Sequence, residues 1–203
     1  MNLSLVSADN RAGAYVYGQN RIRSAWDVNG DGFTELSKMK NQMVGMNAYY
    51  KIGTYSKFGL EYHHIEEFRR GGNSLDLPPH IAENPELNGM GEPGLVEQTR
   101  HSINTGGIKF QTNSPNQKHF MNLYASAQHV DRESYYSAYG RTKNLTAVAG
   151  GQYIYKFDKC LFMPADLTAG FEFNHDNLKD RATDLEKYRD AALEENPNAT
   201  GDE

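Results

Sequence analysis

The chain has 203 residues and a single cysteine, Cys160, which excludes an intrachain disulfide framework. A mean hydropathy of −0.75 and the lack of a long apolar run exclude a transmembrane helix. The formal net charge of −5 comes without a basic stripe, which argues against a nucleic-acid partner.

Eight segments alternate apolar and polar residues, which is the side-chain period of a β-strand. In chain order, strands are predicted over residues 2–8, 12–22, 43–52, 57–68, 98–112, 120–130, 145–157 and 166–175. Alternation is clearest in the last of them, whose apolar positions are Leu167, Ala169, Phe171 and Phe173. The clearest segments have about the 9–11 residues that a tilted strand needs to cross a bilayer.

The connections between these strands alternate short and long. Turn-forming residues mark the short ones, at 9–10, 53–56, 113–117 and around Cys160. The long ones are 23–40, 69–97 and 132–144, followed by a tail in which helical spacing predicts a short helix within residues 176–196. Short turns on one side and long loops on the other are typical of a transmembrane β-meander.

This rhythm predicts an all-β fold, an antiparallel transmembrane β-barrel segment of about eight strands with short periplasmic turns and long extracellular loops. Because unpaired edge amides are costly in hydrocarbon, such strands must belong to a closed barrel. The alternative is a soluble all-β binding module, in which Met46, Tyr50, Leu123 and Phe171 would be buried in a core.

The first long connection contains DVNGDGFTE at 27–35, which matches the first half of an EF-hand loop. The twelfth position, where an EF-hand has its bidentate Glu, is Lys38, and no helix is predicted on either side, so a complete EF-hand is not expected. We expect instead a simple calcium site in an outer loop, and the alternative is a solvated turn. Its ligands would be Asp27, Asn29, Asp31 and Glu35.

The second long connection contains glycine, proline, histidine and arginine. Binding residues concentrate in long loops on rigid scaffolds. We therefore expect Arg69, Arg70 and His80 to contact an anionic or metal-chelate ligand, and the alternative is a loop that packs on its neighbours. The sequence has no nucleophile elbow, phosphate-cradling glycine loop or zinc spacing, so an enzyme is not predicted.

Five stretches carry a family resemblance. They are DVNGDGFTE at 27–35, FRRGGN at 68–73, LPPH at 77–80, MNLYASAQH at 121–129 and DRESYY at 131–136. Together they resemble the barrel region of TonB-dependent outer-membrane receptors, most of all the branch labelled cobalamin or siderophore receptors. The resemblance spans nearly the whole chain and implies that residues 1–203 are a partial barrel domain, without the plug and the remaining strands.

The resemblance implies a barrel of about 22 strands around an N-terminal plug, in the outer membrane of a Gram-negative bacterium. The implied cargo is a scarce nutrient such as a siderophore–iron complex or cobalamin, bound at the outer face. The implied partners are outer-membrane lipid, a surface lipoprotein and the TonB complex, which contacts a segment before the plug. In cobalamin receptors, acidic residues of early outer loops bind calcium, and that role would pass to Asp27, Asn29 and Asp31.

Two further functions stay open at the level of sequence. A free-standing eight-stranded barrel with a structural or adhesion role fits the strand count. Against it stand an N-terminus without a signal peptide and a C-terminus in polar loop sequence, both of which suggest an internal piece of a longer protein. The last possibility is a gene fragment with no independent function.

Overall fold

The computed structural model describes residues 1–136 and 138–183. They form one antiparallel sheet in which each strand pairs with its neighbours in chain order. The strands are β1 (Asn2–Val6), β2 (Ala12–Arg23), β3 (Thr34–Ile52), β4 (Ser56–Gly72), β5 (Val96–Asn113), β6 (His119–Tyr136), β7 (Tyr139–Cys160) and β8 (Met163–Thr183). One short helix, α1 (Pro79–Ala82), follows β4. The prediction of an all-β fold with eight antiparallel strands is confirmed.

The sheet is open in the part of the chain that the structure describes, because β1 pairs only with β2 and β8 pairs only with β7. Its two ends differ. The turn end carries the connections 7–11, 53–55, 114–118 and 161–162, and the loop end carries 24–33, 73–95 and 137–138. All four short connections therefore lie where the sequence predicts them, whereas the loop end has two long connections and one short one.

The predicted long connection over residues 132–144 is wrong. β6 continues to Tyr136 and β7 begins at Tyr139, so only residues 137–138 join the two strands. The charged residues of this stretch pair across the ladder, where Arg141 binds Asp131 through Nε at 3.0 Å and through Nη2 at 2.9 Å. Two paired strands keep their backbone hydrogen bonds in water, so a strand can continue past the point where its side chains become charged.

The helix predicted within residues 176–196 is also wrong over the part that the structure describes. β8 continues to Thr183, and its residues pair with β7 from Asp176 opposite Thr146 to Thr183 opposite Tyr139. Pairing with a long neighbouring strand outweighs the helical spacing of a few apolar side chains. Residues 184–196 of this prediction lie outside the described residues. Similarly, residues 34–40 of the first predicted loop belong to β3.

The register places apolar and polar side chains on opposite faces of the sheet. In β4, Leu60 pairs with Ala48 and Ile108, whereas Glu61 pairs with Asn47 and Gly107. The apolar face crosses all eight strands and includes Leu5, Ala14, Met46, Ala48, Leu60, Ile108, Leu123, Ala149, Phe171 and Phe173. The polar face includes Ser4, Tyr15, Asn47, Glu61, Lys109, Tyr124, Gln152 and Glu172.

Within the described residues, no second layer covers the apolar face. Phe171 and Phe173 are 68% and 64% exposed, and Leu123 on β6 is 39% exposed. The buried apolar cluster lies at the loop end instead, where Ala82, Val96 and Tyr135 pack together. Monomeric soluble proteins rarely expose a contiguous apolar surface of this extent. Among the described residues, no helix is long and apolar enough to span a membrane.

Two tyrosines on the polar face extend over a glycine of the adjacent strand and contact a side chain on the strand after it. Tyr17 of β2 lies over Gly45 of β3, and its hydroxyl contacts Nδ1 of His63 in β4 at 2.5 Å. The same arrangement links β6, β7 and β8 through Tyr124, Gly150 and Glu172. A Cβ at either glycine would overlap the tyrosine ring, so glycine is required for each link.

Candidate functional site at the loop end

The four residues of the predicted calcium site lie in one turn, residues 27–35, which we call the acidic turn. Asp27 accepts two backbone hydrogen bonds, through Oδ1 from the Gly30 amide at 2.7 Å and through Oδ2 from the Gly32 amide at 2.8 Å. Glu35, on β3, closes the turn by accepting a hydrogen bond of 2.8 Å from a backbone amide across it. Asp side chains commonly stabilise turns in this way.

Asn29 and Asp31 complete the acidic turn. Asn29 donates from Nδ2 to Asp31 at 3.0 Å, and Asp31 accepts a hydrogen bond of 2.8 Å from the Phe33 amide. Carboxylate and amide oxygens are the ligands that calcium prefers. Among the described residues, however, no three His, Cys, Asp or Glu side chains are grouped to hold a metal ion. The structure brings the predicted residues together as a hydrogen-bonded turn, and calcium binding stays a prediction.

The two arginines of the predicted ligand site lie on opposite faces of β4, because successive strand residues point in opposite directions. Arg69 forms an ion pair with Glu67 at 2.8 Å on the polar face. Arg70 is only 2% exposed, and its Nη2 donates to the carbonyls of Ser74 and Leu77 at 3.2 and 3.0 Å. The structure therefore does not bring Arg69 and Arg70 together, and it places Arg70 beneath the loop that follows it.

That loop, residues 73–95, is here called the outer loop, and it folds back onto the apolar side of the sheet. Val96 and Tyr135, both on that side, are buried against it. The Tyr135 hydroxyl donates a hydrogen bond of 2.7 Å to Oε2 of Glu83. Burial, together with this hydrogen bond, raises the pKa of Tyr135. His80, the third predicted ligand residue, is half-buried in α1 within the outer loop.

The base of the outer loop requires glycine. Gly72 has a φ of 95°, and a Cβ there would overlap the carbonyl oxygen of Leu95. Asn73 then closes the loop, because its amide donates to Leu95 at 2.9 Å while its Oδ1 accepts from the Leu95 amide at 2.9 Å. The outer loop is thus a folded unit with a fixed base, which is the condition for a long loop to present binding residues.

Sequence reasoning missed the contact between the outer loop and β6. Tyr135 lies in a stretch assigned to a loop, and apolar–polar alternation stops before it, because residues 131–134 are all polar or charged. Only the register of the sheet places Tyr135 on the apolar side, on the same face of β6 as Asp131 and Glu133. The partner, Glu83, has no sequence signal either, because α1 and its surroundings show no periodic pattern.

A shallow groove of about 600 Å³, here called the apolar groove, crosses the apolar face nearer the middle of the sheet. Its floor consists of small residues on three adjacent strands, Gly106, Ala125, Ala127, Ala147 and Ala149. Larger side chains, among them Tyr62 and Phe173, form its rim. The groove exists because small residues lie between large ones in the register.

Comparison with known protein families, with curated proteins and with solved structures finds no significant match to this chain. The two faces of the sheet, the acidic turn, the outer loop and the apolar groove are therefore the features from which a function can be inferred.

Proposed function

We propose that this chain forms part of the barrel of an outer-membrane receptor, energised through TonB, that takes up a scarce nutrient such as a siderophore–iron complex or cobalamin. The observation that carries the proposal is the uncovered apolar face, which runs across all eight strands of a single-layered sheet. A strand of a transmembrane barrel presents apolar side chains to lipid and polar side chains to the lumen. The two faces of this sheet fit those two environments.

The residues of the apolar face change from aromatic to polar along the strands, and this change supports the proposal. Near the turn end, Tyr50, Phe58 and Phe110 lie in one row across three strands. Towards the loop end, the same face changes to polar residues, with His64 beside Asn104. Aromatic residues mark the membrane–water interface in outer-membrane barrels, and polar residues follow where the strand enters water.

The open edges of the sheet support a larger barrel over a free-standing barrel of eight strands. β1 has 5 residues and β8 has 21, and the described part of the chain does not pair the two. Strand edges cannot remain unpaired in hydrocarbon. In the proposed receptor, further strands pair with both edges and close the barrel.

The loop end would face the outside of the cell and meet the ligand. Arg69 and His80 are the proposed ligand contacts, and the acidic turn is the proposed calcium site, which would order the neighbouring loop. Outer-membrane lipid, a surface lipoprotein and the TonB complex, reached through a plug, are the proposed partners.

An antibody against residues 84–93 of the outer loop tests this function. We expect it to label intact cells and to detect a heat-modifiable outer-membrane band several times heavier than 22.9 kDa. A heat-modifiable band near 22.9 kDa would instead indicate a free-standing barrel. A band in the soluble fraction would contradict the membrane location and with it the whole proposal.

A further inference from the structure

Towards the loop end, the apolar face of the sheet gives way to charged side chains on β7 and β8, which form two pairs of like charges. Lys143 lies directly opposite Lys179, and Arg141 lies directly opposite Arg181. Like charges directly opposite each other destabilise a sheet. An anion bound between them would remove that repulsion.

Neighbouring acidic residues neutralise the charge of only the two cations on β7, Arg141 and Lys143. Arg141 forms a bidentate contact with Asp131, and Lys143 lies 3.5 Å from the same carboxylate. Lys179 and Arg181 are exposed, and neither side chain has an ion pair or hydrogen bond with any residue that the structure describes. Among the residues that the structure describes, the two cations on β8 therefore carry uncompensated positive charge; these two, with Arg141 and Lys143, are here called the cationic cluster.

The apolar groove lies on the same face, next to this cluster. Ala147, in the floor of the groove, and Lys143, in the cluster, are four residues apart on β7, which is about 13 Å along a strand. The groove presents almost entirely apolar atoms, and the cluster presents cationic ones. An apolar chain joined to an anionic group is the molecule that matches both features at once.

We propose that Lys179 and Arg181 bind the phosphate of an anionic membrane lipid whose acyl chain lies in the apolar groove. The inference deepens the proposed function and depends on it, because the apolar face must meet lipid. Lysine and arginine close to a membrane surface attract anionic headgroups, and a guanidinium binds phosphate oxygens in pairs. Arg141 and Lys143 keep their contacts with Asp131 on the neighbouring strand.

The test is made on the complete barrel protein that contains this chain, inserted into vesicles of phosphatidylcholine mixed in equal parts with phosphatidylglycerol. Lipid retained on the chain after detergent extraction is counted by native mass spectrometry. We expect phosphatidylglycerol to be retained in preference to phosphatidylcholine, and Lys179→Gln with Arg181→Gln to weaken that retention roughly fivefold for each cation removed. The control, Lys57→Gln with Lys109→Gln, removes two cations from the polar face and should leave the preference unchanged.

A second pair of variants tests the groove. Ala127→Phe fills its floor and should displace the lipid, whereas Gln128→Phe, on the polar face, should not. Equal retention of both lipids, or equal losses in the cluster variant and its control, would overturn the lipid site. Inorganic phosphate that binds the detergent-solubilised chain as tightly as the lipid would also overturn it. Each of these results leaves the proposed function intact, whereas a complete protein found only in the soluble fraction overturns both.

Discussion

Tyr135 of β6 and Glu83 of the outer loop, 52 residues apart in the chain, are joined by a hydrogen bond of 2.7 Å. The bond lies beside the buried cluster of Ala82 and Val96, so the loop is held by both packing and a polar contact. Arg70 adds a second attachment through the carbonyls of Ser74 and Leu77. The outer loop therefore has a defined position on the sheet.

The first prediction concerns this attachment. Tyr135→Phe removes the hydroxyl and leaves a half-buried carboxylate without its donor, which should lower the free energy of local opening of the outer loop by about 1.5–3 kcal/mol. Hydrogen exchange of the outer-loop amides measures the change. Tyr136→Phe is the matched control, because Tyr136 is 53% exposed and lies on the opposite face. Equal effects of the two substitutions would show that the hydrogen bond does not hold the loop.

The second prediction is a pH dependence of the β6–β7 hairpin. The hydrogen bonds from Arg141 hold the pKa of Asp131 below its ordinary value near 3.8. A lowered pKa stabilises the folded state above the unfolded value, and this contribution is lost as the pH falls through the folded value. The hairpin should thus keep constant stability down to about pH 4 and lose stability below it.

Amide exchange at the tip of the hairpin, corrected for its intrinsic pH dependence, measures this loss. Asp131→Asn should abolish the acid-dependent step. Glu133→Gln should retain most of it, since Glu133 lies 3.7 Å from Arg141 and forms the longer contact. An unchanged acid step in Asp131→Asn would assign the effect to another group.

The third prediction tests which face meets lipid. Ala125→Arg places a charge on the apolar face of β6, opposite Ile108 and on the loop-end side of the aromatic row, and should destabilise the complete membrane-inserted protein by about 2–4 kcal/mol. The neighbouring substitution Ser126→Arg, on the polar face, should cost clearly less. Reversible unfolding from vesicles in urea measures both free energies. If the two costs are equal, the assignment of the faces is wrong.

The fourth prediction concerns calcium in the acidic turn. Trp26, the only tryptophan of the chain, precedes Asp27 and pairs with Leu36 across the turn, so it can sensitise the luminescence of terbium bound there. We expect calcium to displace terbium, and Asp27→Ala with Asp31→Ala to weaken terbium binding by at least about tenfold, because affinity depends on the number of charged ligands.

Two acidic residues of the outer loop provide the control for this measurement. Asp76→Ala with Glu86→Ala removes the same charge and should leave the luminescence unchanged. Sensitised emission that both double variants reduce equally would mean that general charge, rather than the acidic turn, attracts the ion.

The strands could be predicted because their signal is local. Leu167, Phe171 and Phe173 alternate with polar residues within one segment, and that period of two determines both the strand and its faces. The acidic turn was found for the same reason, since its residues are contiguous.

The features that sequence reasoning missed depend on contacts between distant residues. The predicted strand ends at Val130, but Asp131 is matched by Arg141 on the next strand, and only the register reveals that pairing. Arg70 was expected to meet a ligand, yet a loop without any periodic pattern buries it. A side chain's burial depends on what folds over it, and a single strand does not contain that information.

The position of the outer loop has a consequence for access to the interior of the proposed barrel. Arg70, Val96 and Tyr135, the strand residues that hold the loop, share the apolar side of the sheet. In that barrel the loop would lean outward from the rim and would not extend across the mouth. A bulky molecule entering along this half of the wall would reach the polar face, with Arg69 at its upper edge, without any opening of the outer loop.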